Sequence, residues 1–338
     1  MKEILKTALM WAMIICLVPV LLSARNSAAD TGKELPDNPE NGADEPRSSF
    51  DLGADPVLTV CSPEGSVSEM PLEEYVWRAL LAEIPGDMDS EAMKAQAAAA
   101  RTYAVRRILS GKDTAASGIS AHIFADPEKY QIWLTDSEIS ALFDSSDVIV
   151  QKARAAAAQT AGEIIVYNGS PIIAAFHTAN GGMTESSENV WGTPEPYLVP
   201  VDSTWDKASN YNGRERIFTD RETAARISAE YSEYNGDTKA EILSVTPSGT
   251  VMEMRLGGVT LTGRHFAEMF SLDSAAFTLS HSDGEITVIT NGSGHMAGMS
   301  MCGADGMARE GADYREILAH YYPGTAVGMI EARAIRGK

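Results

Sequence analysis

An α+β fold is the expectation from this sequence, and three observations carry it. Two helical apolar patterns adjoin in the first third of the chain, short β-branched runs separated by turn residues recur further on, and the two never settle into regular βαβ alternation. The chain therefore reads as mixed helices and short antiparallel strands and hairpins around a cleft, with an inserted or second, smaller β-rich subdomain. Its 338 residues are enough for one large or two modest domains with a core. No internal repeat at solenoid spacing is present.

Taken in order, residues from about Ala8 to Leu22 form an apolar run preceded by Lys2 and Lys6, the pattern of a signal peptide or signal anchor over 1–24. A length of roughly 15 residues is short for a full membrane span, and Ser23-Ala24 or Ala28-Ala29 could support cleavage, so both fates stay open. Residues 25–55 are rich in Asp, Glu, Asn, Pro, Gly and Ser and read as a disordered acidic linker. The expected location is the cell membrane, by a single N-terminal anchor with the folded part outside the cytoplasm, or secretion if the signal is cleaved.

The folded part is expected over 56–325, with a C-terminal tail over 326–338. Val57 to Met70 alternates apolar and polar residues about a Pro-Glu-Gly turn, a short hairpin. Leu72, Tyr75, Val76, Ala79, Leu80 and Ile84 make a helical stripe that Pro85 and Gly86 end. Asp89 or Ser90 then offers an N-cap for a second, alanine-rich helix. Its run Ala95, Ala97, Ala98, Ala99 and Ala100 lets another element pack closely or an extended ligand approach. Ile139 to Thr160 resembles a further alanine-rich helix. EIIVYNGSPIIAAFH reads as a hairpin turning at Asn168-Gly169 and running into His177. Thr219 to Tyr234 is an amphipathic helix capped by Thr219 or Asp220. Short strands follow at Ala240 to Val245, Val251 to Leu256 and Phe277 to Ser282, the last paired with Glu285 to Thr290. A final helix lies near Tyr314 to Tyr321.

Composition excludes some classes. A net charge of -20 argues against a broad basic surface for nucleic acid. The three cysteines are Cys16, Cys61 and Cys302; a Cys61–Cys302 disulfide is open to an exported protein. No Cys/His cluster has zinc-ligand spacing, so neither a metal nor another cofactor is expected.

The chemistry concentrates in EIPGDMDSEAMKAQAAAARTYAVRR from Glu83. Lys94 and Arg101 are seven apart and so emerge on nearly the same helix face, and a reversal at Pro85-Gly86 could bring Glu83 against them. From spacing alone, a solvated surface pair is the better explanation of these charges. His177 adjoins Thr178, Asn180, Gly181, Gly182, Thr184 and Glu185 and reads either as a loop cap or as part of a cleft lining. His295 and Ser300 lie in a glycine-rich segment without a nucleophile elbow, which favours cleft lining over a Ser-His pair.

Three ordered blocks resemble the sporulation stage II protein D family, whose domain also occurs in amidase enhancers. PLEEYVWRALLAEIPGDMDSEAMKAQAAAARTYA from Pro71 is similar to that family's PLEEY opening, E-M/I-P turn and KAQAVAARTYA helix. AAFHTANGGMTESSENVWGTPEPYLVPVDSTWD from Ala174 is similar to its histidine-led G-G-x-T-E run. GHMAGMSMCGADGMAREGADYREILAHYYPGT from Gly294 is similar to its closing block. In that third block Met296 stands for the usual Gly, Met301 for Gln and Cys302 for Tyr.

The resemblance implies a peptidoglycan lytic transglycosylase that cleaves the MurNAc-GlcNAc bond, leaves 1,6-anhydro ends and remodels septal wall during engulfment. It puts the catalytic acid on Glu83 and substrate binding on Lys94 and Arg101. His177, Thr184, Glu185, His295 and Ser300 are read as further substrate-binding positions, with Trp191 and Tyr197 as candidate sugar platforms. Expected partners are glycan strands and a cell-wall amidase or endopeptidase, with no nucleic acid; the alternative is a non-catalytic amidase enhancer.

Overall fold

The computed structural model describes residues 49–52, 56–127, 129–144 and 146–331. The expected apolar leader, most of the acidic linker and the last residues of the tail lie outside them. No helix among the described residues is long and apolar enough to cross a membrane. The fold is α+β: helices with several small sheets of short strands.

Strands Val57–Cys61 and Val67–Pro71 pair antiparallel as the expected hairpin, and Ile123–Phe124 adds in parallel to the first of them. Helix α1 (Leu72–Glu83) follows at once and buries Leu72, Tyr75, Val76, Ala79 and Leu80. At its end Gly86 takes φ +152, a conformation that L side chains rarely adopt. Helix α2 (Ser90–Ser110) is capped by Asp89, whose carboxylate accepts from the Glu91 amide. It forms the axis of the larger core, contacted by α1, three later helices and the strand Glu163–Tyr167. Ala95 and Ala97 to Ala100 are all fully buried, so the alanine run serves close packing between elements and offers no face to a ligand.

The Ile139 to Thr160 segment is two helices, not one. α3 (Asp136–Leu142) starts at Thr135 with a reciprocal capping box to Glu138, and the chain then breaks before α4 (Val148–Gln159). Phe143 leaves the helix in an extended conformation, and a Gln-poor, Asp/Ser-rich stretch makes the break. The expected Asn168-Gly169 turn is present, with φ of +48 and +74. Its hairpin is shorter than the β-branched run suggested. Ser170–Pro171 is all that pairs back onto Glu163–Tyr167; beyond Ile172 the chain leaves, and Phe176–His177 pairs instead in parallel with Met299–Ser300. That non-local pairing brings the second and third sequence blocks together.

After α5 (Ser187–Trp191) and a 3-10 turn at Thr204–Ala208, the chain enters a second hydrophobic core. Strands Asn212–Thr219, Glu285–Asn291 and Phe277–Ser282 form one sheet, and Ala240–Val245, Val251–Leu256 and Val259–Leu261 another. α6 (Asp220–Glu230), capped by Thr219, and α7 (Gly263–Phe270) belong to this unit, whose centre is Phe266, Phe270, Met254, Leu256 and Val288. The chain then returns to the larger core through α8 (Met301–Arg309) and α9 (Tyr314–Tyr321), and Ala326–Glu331 closes the sheet with Glu163–Tyr167. Cys61 and Cys302 are both free, so the open disulfide does not form.

Candidate functional site

Glu83 is the last residue of α1 and lines a cleft of about 480 Å³. The loop after it, Ile84 to Asp87, forms one lip; Leu142, Phe143 and Ile149 from the α3–α4 break form another; Phe176, His177, Thr178, Tyr211, Gly294 and Met301 form the far side. Most of these walls are apolar. Tyr103 lies behind the acid: burial pushes its hydroxyl up to about 12, and the nearby Glu83 charge adds to the effect.

The lip that carries Glu83 is held by charged partners from two directions. The Asp305 carboxylate of α8 accepts from the Asp89 amide at 2.7 Å, and Arg309 donates to the Asp87 carbonyl at 3.1 Å. From α4, Lys152 donates to the Asp87 carboxylate at 2.6 Å and to the Met88 carbonyl at 3.1 Å. The Lys152 ammonium holds the Asp87 carboxyl below its usual range. Asp147, also at the cleft, accepts from the Asp144 amide at the turn before α4.

The two cations expected beside Glu83 are elsewhere. Arg101 has no solvent exposure and binds Glu73 through two parallel bonds, Nε to Oε1 at 2.8 Å and Nη2 to Oε2 at 2.7 Å. It also donates to the Ala157 and Glu163 carbonyls and to Thr160. Glu73 and Glu83 sit at opposite ends of α1, about 15 Å apart along the helix axis at 1.5 Å per residue. Arg101 therefore ties α1 to α4 and the following strand, and cannot reach a ligand without unfolding that junction. Lys94 pairs with Glu91 at 2.6 Å and stands 5.9 Å from the centre of the Tyr314 ring, linking α2 to α9. It does not line the cleft either.

His177 does line it. Burial draws its pKa down to about 4, so the ring is neutral near pH 7. Its Nδ1–H donates to the Ala297 carbonyl at 3.2 Å and its Nε2 accepts from the Asn180 side-chain amide at 3.2 Å. Both nitrogens are thus committed, and the ring forms a fixed wall. Behind it, the buried Asp206 carboxylate accepts from Ser300 at 2.7 Å, from Ser203 and from the Asn180 amide. Burial raises the Asp206 pKa to about 6 against these stabilising bonds.

The remaining expected positions are internal. Ser300 is fully buried, bonds Asp206 and caps α8 through the Gly303 amide. Thr184 and Glu185 are fully buried as well. Glu185 accepts from the Ser186 amide, the Asn189 side chain and, at 2.6 Å, the Thr246 hydroxyl, so it fastens the smaller unit to the larger. Tyr197 is a core residue whose hydroxyl accepts from the Ile173 amide. Trp191 packs edge-on against His295 at 5.0 Å. His295 lies 6.0 Å from the His177 ring but lines a separate cavity. Tyr211, Phe143 and Ile149 are cleft residues that sequence reasoning missed. They carry no motif, and only the apolar VIV opening of α4 hinted that side chains there face something other than core.

A family model described as SpoIID, stage II sporulation protein, matches residues 63–167, which contain Glu83 and its lip. The chain is 32% identical to the stage II sporulation protein D of Bacillus subtilis (strain 168) over 338 residues, 98% of this chain and 97% of that protein. It belongs to the stage II sporulation protein D family. A second member, from Bacillus amyloliquefaciens, is 34% identical over 79% of this chain and 77% of its own. An amidase enhancer of Bacillus subtilis (strain 168) is more distant, 25% identical over 72% of this chain and 39% of that longer protein. The sporulation family thus places this chain in sporulation, and its three sequence blocks are the segments that converge on one cleft.

Proposed function

We propose that this chain is a lytic transglycosylase that cuts the MurNAc-GlcNAc bonds of peptidoglycan strands and leaves 1,6-anhydro ends, with Glu83 as the one acid and base. The observation that carries the reading is the position of Glu83: at a helix end, on a clamped lip, in a cleft with largely apolar walls.

Hydrolysis of a glycoside ordinarily takes two carboxyl groups, because one protonates the leaving oxygen and another activates water or attacks C1. Intramolecular attack by the sugar's own 6-hydroxyl needs only one. In this scheme the protonated Glu83 gives its proton to the bridging oxygen as the C1–O bond breaks. The resulting carboxylate then takes the proton of the 6-hydroxyl as O6 bonds to C1, so Glu83 returns to its starting form. A saccharide seated on Phe143, Ile149 and Phe176 displaces water from the carboxyl, and desolvation favours the protonated acid the first step needs. Lys94 and Arg101 do not oppose this, since Glu91 and Glu73 hold them.

We further propose action on septal wall during engulfment, from an N-terminal membrane anchor and alongside a cell-wall amidase or endopeptidase, the amidase link being suggested by the likeness to the amidase enhancer. The reading is tested by digesting purified glycan strands with wild type and Glu83→Gln. Anhydro ends from wild type alone support it; equal yields from both remove Glu83 from the chemistry. A second reading, stimulation of an amidase without cutting, is favoured by the likeness to the amidase enhancer. It predicts that Glu83→Gln stimulates a purified amidase as well as wild type does and that neither yields anhydro ends.

A further inference from the structure

A second cavity, of about 270 Å³, adjoins the Glu83 cleft and shares Gly294 with it. Its walls come from α7, from the turn after α7 and from His295. Three groups around it are donors without acceptors.

Arg264, in the first turn of α7, is half-buried, and burial pulls its pKa below the usual arginine value. Among the described residues its guanidinium forms no ion pair or hydrogen bond. Neither acid on the same walls forms an ion pair with it, although the Glu268 charge acts on the guanidinium from a distance. Asp273 is bound by Arg214 at 2.9 Å, and Glu268, one turn further along α7, faces His265 at 3.7 Å.

His295 accepts from the Ala297 amide at Nδ1, 3.1 Å away, and burial keeps the ring neutral. The proton therefore sits on Nε2. That nitrogen is buried and has no hydrogen-bond partner, the Phe176 carbonyl acting on the ring without completing a bond. The Thr250 hydroxyl, on the cavity wall, is likewise buried and unpartnered. A guanidinium, an imidazole N–H and a hydroxyl beside one cavity call for an acceptor-rich ligand, because donors withdrawn from water and left unmatched are costly. One positive charge with neutral donors suits a monoanion. A dianion would meet Glu268 and Asp273 on the same walls.

We propose that this cavity is a carboxylate-binding subsite that holds the acidic substituent of a muramic sugar while the neighbouring glycosidic bond lies at Glu83. The inference rests on the glycan-strand reading above and names the feature of the strand that fixes its register. The carboxylate has two sources on a strand: the lactyl group once its peptide is gone, or the peptide itself.

Binding to full-length Glu83→Gln protein, with and without Arg264→Gln, separates these. The probes are glycan strands stripped of peptide, strands that keep it, and chito-oligosaccharides, which carry no acid. Arg264→Gln is expected to weaken one or both acid-bearing strands roughly ten-fold and to leave chito-oligosaccharide binding unchanged. The strand that loses affinity identifies the source. Arg264→Lys keeps the charge without the fork and is expected to recover part of the loss. An equal effect on all three probes, or none on any, overturns the subsite while leaving the Glu83 reading intact. Failure of the Arg264-containing protein to bind any probe overturns the glycan reading and the subsite with it.

Discussion

Arg101 carries its charge at zero solvent exposure, and all five of its N–H donors are met: two by Glu73, one each by Thr160, Glu163 and Ala157. Removing Arg101 leaves Glu73, which is partly solvated, and strips the buried Ala157 carbonyl and its neighbours of a donor, at a cost of roughly 1–3 kcal/mol. Arg101→Met is accordingly expected to lower unfolding stability by about that amount in urea titration. Unchanged stability with lost glycan affinity would return the residue to a ligand-facing role. From the sequence, the Glu83 carboxylate is expected against Arg101, but Glu73, not Glu83, is the partner. Spacing on one helix could not tell them apart, since the choice depends on how α1 crosses α2. The left-handed backbone of Met296, φ +61, is similar in kind. The family resemblance marks it as a place where Gly is usual, and its side chain, 1% exposed, offsets the strain by burial.

Opposed titrations at the same scale give a pH signature. The His177 pKa falls from the ordinary 6.5 to about 4 on folding, so its contribution is complete above pH 6.5 and is lost as pH drops toward 4. Asp206 runs the other way. Its pKa rises from 3.8 to about 6, so the native state takes up the proton first and gains stability as pH falls through that window. Asp206→Asn removes the opposing gradient, which is on the order of 2 kcal/mol. Urea midpoints between pH 7 and pH 4 should fall more steeply in this variant than in wild type; parallel curves would show that Asp206 titrates normally.

At the scale of elements, α8 packs tightly against α9 and the 3-10 turn at Thr204–Ala208, close to the site. A Cβ placed on Gly303 would stand 2.0 Å from the Tyr321 hydroxyl and 2.6 Å from the Asp206 carboxylate. Gly303→Ala must therefore displace α9 or the Asp206 cluster that backs His177, at a cost of about 1–3 kcal/mol. A lowered thermal midpoint together with weaker glycan binding is the expected result, and a neutral effect would contradict the close approach. This junction explains much of the glycine in the third sequence block: Gly298, Gly303 and Gly306 admit close neighbours, while Gly294 lines the cleft. Helix ends were the legible part of this level. Asp89, Thr219 and the Tyr314–Tyr321 helix stand where caps and stops put them, because those signals are local. The α3–α4 break and the short hairpin at Asn168-Gly169 were not legible. Both are settled by partners far along the chain, above all the pairing of Phe176–His177 with Met299–Ser300.

For the whole molecule, sequence correctly indicated a mixed fold and a smaller β-rich part, since turn residues and β-branched runs are dense from Ala240 to Thr290. It could not indicate that Glu185 and Thr246 fasten the two units, or that the second cavity lies beside the first. Around the cleft, Glu83 and His177 were legible from motifs, whereas Tyr211, Phe143 and Ile149 come together only through the fold. With 47 acidic against 27 basic residues, the molecule as a whole repels a polyanion, so any acidic group on a ligand has to be met locally, as at Arg264.

The central claim is that one carboxylate, Glu83, cuts glycan strands by handing the bond to the sugar's own 6-hydroxyl. Mass spectrometry of the products from peptide-free strands tests it most directly, because an anhydro end is one water lighter than a hydrolysed one. Anhydro-muramyl ends from wild type and none from Glu83→Gln are the predicted result. Reducing ends in their place, or anhydro ends that persist without the carboxylate, would contradict it.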